Sequence, residues 1–188
     1  LETTQTIATI GFVKARLCVV MQQNQLFMIE TTGGIADPVD LATFAEFDIT
    51  SQLNVNRLDV PHSCVAPWSF SNTPNGDGIW VGAEGPWLCD GDSTTLIIQG
   101  WETDRWADYY PPGLILARTV CDSTHKYGPV IRVFNLASNA TAMVRGETSA
   151  QLVYVLDRKS WLNFSASFDI GAGSMVKSYA GQERFLFG

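Results

Sequence analysis

The sequence predicts an all-β, antiparallel fold, a barrel or a sandwich with long loops, on three observations. First, Leu162, Phe164, Ala166, Phe168 and Ile170 alternate with Asn163, Ser165, Ser167 and Asp169. Period two over that length marks a strand with one face on a core and one in water. Second, roughly ten to twelve short strand-like runs follow one another at even spacing. Third, no segment carries a sustained helical repeat, and only 16% of the residues are charged, few for a protein built of Glu- and Lys-rich helices.

Taken in order, Thr6 to Met21 is rich in β-branched residues and reads as one long strand, bent at Gly11. Gln22 to Gln25 is a polar turn and Leu26 to Thr31 returns as its hairpin partner. Gly33 to Thr43 is a loop with at most one helical turn at Pro38 to Phe44, and Phe44 to Ile49 is a short strand. Leu53 to Val60 reads as an edge strand. Pro61 to Gly78 is a long connection, of a length that is uncommon unless it binds something. Strands are then predicted at Ile79 to Gly82, Thr94 to Trp101, Gly113 to Cys121, Pro129 to Leu136, Thr141 to Gly146 and Ala150 to Asp157. The alternating stretch Trp161 to Ile170 follows, and Ser174 to Tyr179 and Arg184 to Phe187 complete the set.

At 188 residues, 46% of them hydrophobic, residues 1–188 read as a single domain with a sizeable core. A formal charge of -7 and the lack of a basic cluster weigh against nucleic acid as a partner. No apolar run approaches the ~20 residues that span a bilayer, so no membrane insertion is expected. The chain begins at Leu1 without a signal-peptide pattern and reads as a domain cut from a longer polypeptide or as a processed product. Cys18, Cys64, Cys89 and Cys121 permit two disulfides in three connectivities, and Cys18, in an apolar run, reads as a buried thiol.

The most informative stretch is Ala66 to Pro112. It holds five of the six tryptophans and seven acidic residues against one basic residue, Arg105, on tight Gly-, Pro- and Asp-containing turns. Trp80 and Trp101 lie in strand-like runs and, with Trp161, are expected in the core. Trp68, Trp87, Trp106, Tyr109 and Tyr110 stand beside Pro, Gly or Asp in loops, where either core packing or exposure fits. Aromatic faces and acids raised on loops suit recognition of a polar ligand. In that reading Trp87, Trp106, Tyr109 and Tyr110 stack on a sugar ring or anchor a protein contact. Asp90, Asp92 and Asp104 hydrogen-bond hydroxyls or pair with basic groups. The loop His125 to Gly128 is a further part of that surface.

Chemistry is less well supported. His62, Cys64, Cys89, Cys121 and His125 lack the paired Cys-x-x-Cys of zinc sites, and the Asp-Gly and Asn-Gly elements are turn formers without a calcium-loop frame, so no metal is expected. Glu84, Asp90, Asp92, Glu102, Asp104 and Asp108 offer carboxylates for a glycosidase, but nothing selects a pair. No nucleophile motif and no Gly-rich nucleotide motif occurs, so neither an enzyme nor a cofactor is expected. The acceptor patterns at Asn139 and Asn163 read as chance.

With its dozen short strands, low charge and long aromatic-acidic loops at Pro61 to Gly78 and Gly100 to Pro112, the chain resembles a projecting surface domain of a non-enveloped RNA-virus capsid. It is most similar to the astrovirus spike, with iflavirus and calicivirus projecting domains as neighbours. The resemblance implies a non-enzymatic spike on the virion surface that attaches to a host-cell receptor or glycan, carries antigenic loops met by neutralising antibodies, and forms a homodimer. The alternative is a secreted carbohydrate-active β-sandwich enzyme or carbohydrate-binding module.

Overall fold

The computed structural model describes residues 6–14, 16–21, 25–31, 53–59, 64–98, 106–109, 111–137, 139–141, 150–164, 173–177 and 183–187. Its strands fall into three four-stranded antiparallel sheets and one hairpin. Sheet one holds β1 (Ile7–Val13), β2 (Arg16–Met21), β3 (Gln25–Thr31) and β4 (Leu53–Asp59). Sheet two holds β5 (Ser71–Asn72), β6 (Gly78–Val81), β7 (Pro86–Cys89) and β8 (Thr94–Leu96). A 3-10 helix, Pro111–Leu116, leads into sheet three, made of β9 (Arg118–Asp122), β10 (Val130–Leu136), β11 (Ala150–Val155) and β12 (Ser160–Phe164). The strands β13 (Gly173–Lys177) and β14 (Glu183–Phe187) form the hairpin. Every hydrogen-bonded neighbour is the next strand in sequence, so each sheet is a meander. The arrangement is sandwich-like, and no sheet closes into a barrel among the described residues.

Sheet two is the middle layer. Its short strand β6 is buried at every position, which alternation converts into two cores. Trp80 faces sheet one, together with Trp87 and Cys89 of β7, against Val13, Cys18, Val20, Leu26 and Met28. Ile79 and Val81 face sheet three, with Ile97 and Ile98, against Ile131, Val133, Leu152, Tyr154 and Trp161. A strand buried on both sides reads as a continuous apolar run, as Gly78–Val81 does.

Several predicted elements change. The long strand at Thr6 to Met21 is two strands, because Lys14 takes a left-handed conformation (φ 46°) and the chain turns back. No Gly, Asn or Pro advertises that turn. Gly11 does not bend the strand; a Cβ there would overlap the Phe70 ring. The predicted strand at Gly113 to Cys121 is half 3-10 helix, because Pro111 and Pro112 pre-set helical φ. Strand β7 lay hidden behind Gly85–Pro86. Gly85 (φ 143°) closes the turn through Gly82 N–H to Gly85 O at 2.8 Å, which sets Trp80 opposite Trp87. Trp161 packs in the inter-sheet core, as expected, while Leu162 lies on the opposite face with Val130, Val153 and Val155. The edge strand at Leu53 to Val60 is β4. The predictions for Gly33 to Thr43, Phe44 to Ile49, residues 142–146 and 165–170, and Trp101 fall outside the described residues.

Candidate functional site

The long connection before β5 is built on the tetrapeptide Ala66-Pro67-Trp68-Ser69. Ser69 N–H donates to Ala66 O at 3.0 Å, closing a β-turn with proline at its second position, where its fixed φ suits the bend. Ser69 is fully buried and locks the turn down. Its hydroxyl donates to Ala66 O at 2.7 Å and accepts from Val81 N–H at 2.8 Å, while its carbonyl accepts from the Thr119 hydroxyl. Cys64 Sγ also reaches Ala66 O, at 3.6 Å, and Val65 N–H donates to Val81 O at 3.1 Å. The turn is thereby tied to the middle sheet and to β9.

Trp68 stands at the tip of this turn, 73% exposed, the most exposed large hydrophobic side chain among the described residues. It forms one wall of a groove of about 500 Å³ with Pro67 and Phe70, and Ile7, Ala8, Thr9 and Ile10 of β1 form the other. Phe70 is fixed from beneath by stacking on Trp80 at 6.3 Å, with the ring planes 6° apart. Ile7 and Ile10 are half exposed. Strand β1 is an edge of sheet one. Further along that edge, Phe12 O accepts from the Asn72 side chain and Lys14 N–H donates to Gly76 O. The site thus combines an indole on a firmly held turn, an apolar trough and the N-terminal half of an edge strand.

The residues singled out by the sequence go elsewhere. Trp87 (8% exposed), Trp106 (5%) and Tyr109 (8%) are core residues and do not present stacking faces to a ligand, which corrects the sequence reading. Trp87 joins the core under sheet one because β6–β7 pairing turns it inward. Trp106 donates Nε1–H to Ala83 O at 2.8 Å and meets Tyr109 edge-on at 5.7 Å, so one turn of chain packs two rings into the core over sheet three. Asp90 and Asp92 are exposed but are engaged in structure. Asp90 Oδ1 accepts from Asp92 N–H (3.0 Å) and Ser93 N–H (2.8 Å), and those backbone bonds hold its carboxyl below the usual range. Asp92 pairs with Arg16 at 3.0 Å across to sheet one. Asp104 and Tyr110 lie outside the described residues.

No family model matches the chain, and no curated protein matches it.

A second exposed ring lies in the loop His125 to Gly128. Tyr127 is 41% exposed and stands 5.4 Å from the His125 ring, with Lys126 Nζ 4.7 Å and Arg158 Cζ 5.3 Å from its centroid. The cations occupy its π-face. Beneath this loop Asp122 accepts from Arg132 Nε (2.9 Å) and Nη2 (2.7 Å) and from Thr124 Oγ1 (2.7 Å). Burial would raise the Asp122 carboxyl, but the bonds from Thr124 and Arg132 outweigh it and the group is held low. Burial and the Arg132 charge push His125 down. Among the described residues no three His, Cys, Asp or Glu side chains converge as metal ligands.

Trp68 carries a sequence signal of its own. Ala-Pro-Trp-Ser places an aromatic ring after a proline in a turn, whereas Trp87 follows Gly-Pro at the start of a strand. The two contexts look alike until the partner strand is known.

Proposed function

We propose that the chain is a non-enzymatic attachment module, of the kind that projects from a non-enveloped RNA-virus capsid, and that it grips a protein receptor through the Trp68 groove. The observation that carries this reading is the exposure of Trp68 on a turn that buried hydrogen bonds hold in place. An exposed indole costs solubility and contributes nothing to the core. A rigid aromatic anchor beside an apolar trough is the usual centre of a binding hot spot.

The groove lining favours protein over sugar. Of its seven lining residues only Thr9, itself 8% exposed, and the indole N–H of Trp68 offer a polar side-chain group. A sugar needs several hydrogen-bonding groups around the stacking ring, whereas an apolar peptide needs a trough and an edge strand to pair with. The attachment site therefore moves from the loop acids of the sequence reading to the junction of β1 with the Pro67–Trp68 turn.

The test is cell binding by the purified domain, scored by flow cytometry over a panel of animal cell lines. Binding should survive glycosidase treatment of the cells and be lost after protease treatment. Trp68→Ala should weaken it by roughly 30-fold or more, the scale of a hot-spot tryptophan, with the melting temperature unchanged. Binding that is indifferent to Trp68 would sink the proposal.

A further inference from the structure

Three of the four cysteines meet in one place. Cys18 on β2, Cys64 ahead of β5 and Cys89 on β7 all belong to the core that joins sheet one to sheet two. Cys18 and Cys89 are wholly buried and lie next to each other in this core, one from each sheet. The strands that carry them are pinned together beside this contact. Arg16 Nη2 sits 3.0 Å from Asp92 Oδ1, and the same guanidinium fills the space over Gly91 that a Cβ would need. Cys64 turns its sulfur to Ala66 O instead, and Cys121 packs against the other core.

We propose that Cys18 and Cys89 form a reversible disulfide that clamps sheet one to sheet two when the chain folds against an oxidising thiol–disulfide pool. The two sulfurs sit in different surroundings. The neighbouring Cys18 side chain lowers Cys89, and the Gly91 N–H and the Arg16 charge act the same way against burial and Asp90. The neighbouring Cys89 side chain raises Cys18, as does its burial. Cys64, desolvated by burial, is pushed up to about 12 and is a poor competitor.

Either sulfur can start the exchange before the sheets close over it; with Cys89 first, its thiolate opens the sequence. It attacks one sulfur of a small disulfide such as oxidised glutathione, breaks that S–S bond and releases one glutathione thiolate. Cys18 then loses its proton, attacks the Cys89 sulfur of the mixed disulfide and expels the second glutathione, which takes up the proton. Two protein thiols are oxidised and one glutathione disulfide is reduced to two thiols. Because both sulfurs are shielded in the finished fold, exchange belongs to folding or to local opening at the Asp90–Ser93 turn. The bond closes a long loop that includes β3 to β6, the kind of closure that most restricts the unfolded chain. It would form whatever the groove binds.

The experiment is to refold the full chain in mixtures of reduced and oxidised glutathione, alkylate it in denaturant and weigh it. Two of the four thiols should be protected, and peptide mapping should join the Cys18 and Cys89 peptides. Dithiothreitol should free all four and lower the melting temperature by roughly 10 °C. Cys64→Ser and Cys121→Ser should keep the link, while Cys18→Ala should leave no protected pair. Four free thiols in wild-type protein at every redox ratio, or a link through any other cysteine, would overturn the proposal. The wild-type measurement decides this even where a variant fails to fold.

Discussion

At the scale of the residue, the aromatic side chains divide by partner and not by neighbouring sequence. Trp106 and Trp161 each satisfy their indole N–H on a backbone carbonyl, Ala83 O and Ile97 O, at 2.8 Å, so their polar tips do not oppose burial. Trp68 has no such burial to gain and stays outside. Trp106→Ala should therefore cost about 3–5 kcal/mol of stability, the range for emptying a core aromatic site, seen as a lower urea midpoint at unchanged slope. Trp68→Ala in the same assay should leave the midpoint in place. If the two variants behave alike, the division into core and surface rings is wrong. Pro-Trp occurs on both sides of that division, at Pro67-Trp68 and at Pro86-Trp87, and this is why the sequence alone left Trp87, Trp106 and Tyr109 open between core and ligand surface.

At the scale of the element, the contact between sheets one and two depends on glycine. A Cβ on Gly11 of β1 would overlap the Phe70 ring, and one on Gly78 of β6 would stand 2.7 Å from Val13 Cγ2 and 2.9 Å from Phe70 Cζ. Phe70 is held from the far side by Trp80, so it has little room to yield. Gly11→Ala should destabilise the domain by about 1–3 kcal/mol, as overpacking does, even though alanine suits a strand better than glycine. Phe70→Leu should recover part of that loss when combined with Gly11→Ala, and a double-mutant cycle measures the coupling. Purely additive effects would show that Gly11 serves backbone freedom alone. Because Phe70 also lines the groove, the same packing that joins the sheets sets the position of the Trp68 wall.

At the scale of the whole molecule, sheet three carries a buried ion pair on its outer side. Asp122 and Arg132 are 2 and 9% exposed and share two hydrogen bonds. Asp122→Asn should cost about 3–5 kcal/mol at neutral pH, since it leaves the arginine charge buried without its counter-ion. The pH dependence has a definite sign. The Asp122 carboxyl titrates lower in the folded chain than in the unfolded one. Its stabilisation is present above the ordinary carboxylate pKa of about 3.9 and fades as the pH falls through the lower folded value. His125, also lowered, adds a loss in the same direction, beginning as the pH drops below its ordinary value of 6.5. Urea midpoints should fall from pH 7 towards pH 3, and less steeply in Asp122→Asn. An equal slope in both proteins would remove Asp122 from the account.

Period-two alternation, short β-rich runs and turn residues at even intervals determined by themselves that this chain is all-β and antiparallel, because side-chain direction along a strand is a local property. The paired strands β3, β4, β10 and β11 were legible for that reason. Which face of each strand is covered, and by what, was decided by tertiary structure: Gly78–Val81 is apolar throughout, and only its place between two sheets divides Trp80 from Ile79 and Val81. The turn at Lys14 is likewise held from afar, by Gly76 O, whereas the helix at Pro111 and the hidden strand β7 rest on local turn chemistry, two prolines and the Gly82–Gly85 turn, that alternation does not display. The groove is the clearest case. Ile7 to Ile10 and Pro67 to Phe70 are far apart in the chain, and only the packing of β1 against the middle sheet brings them together beside an exposed indole.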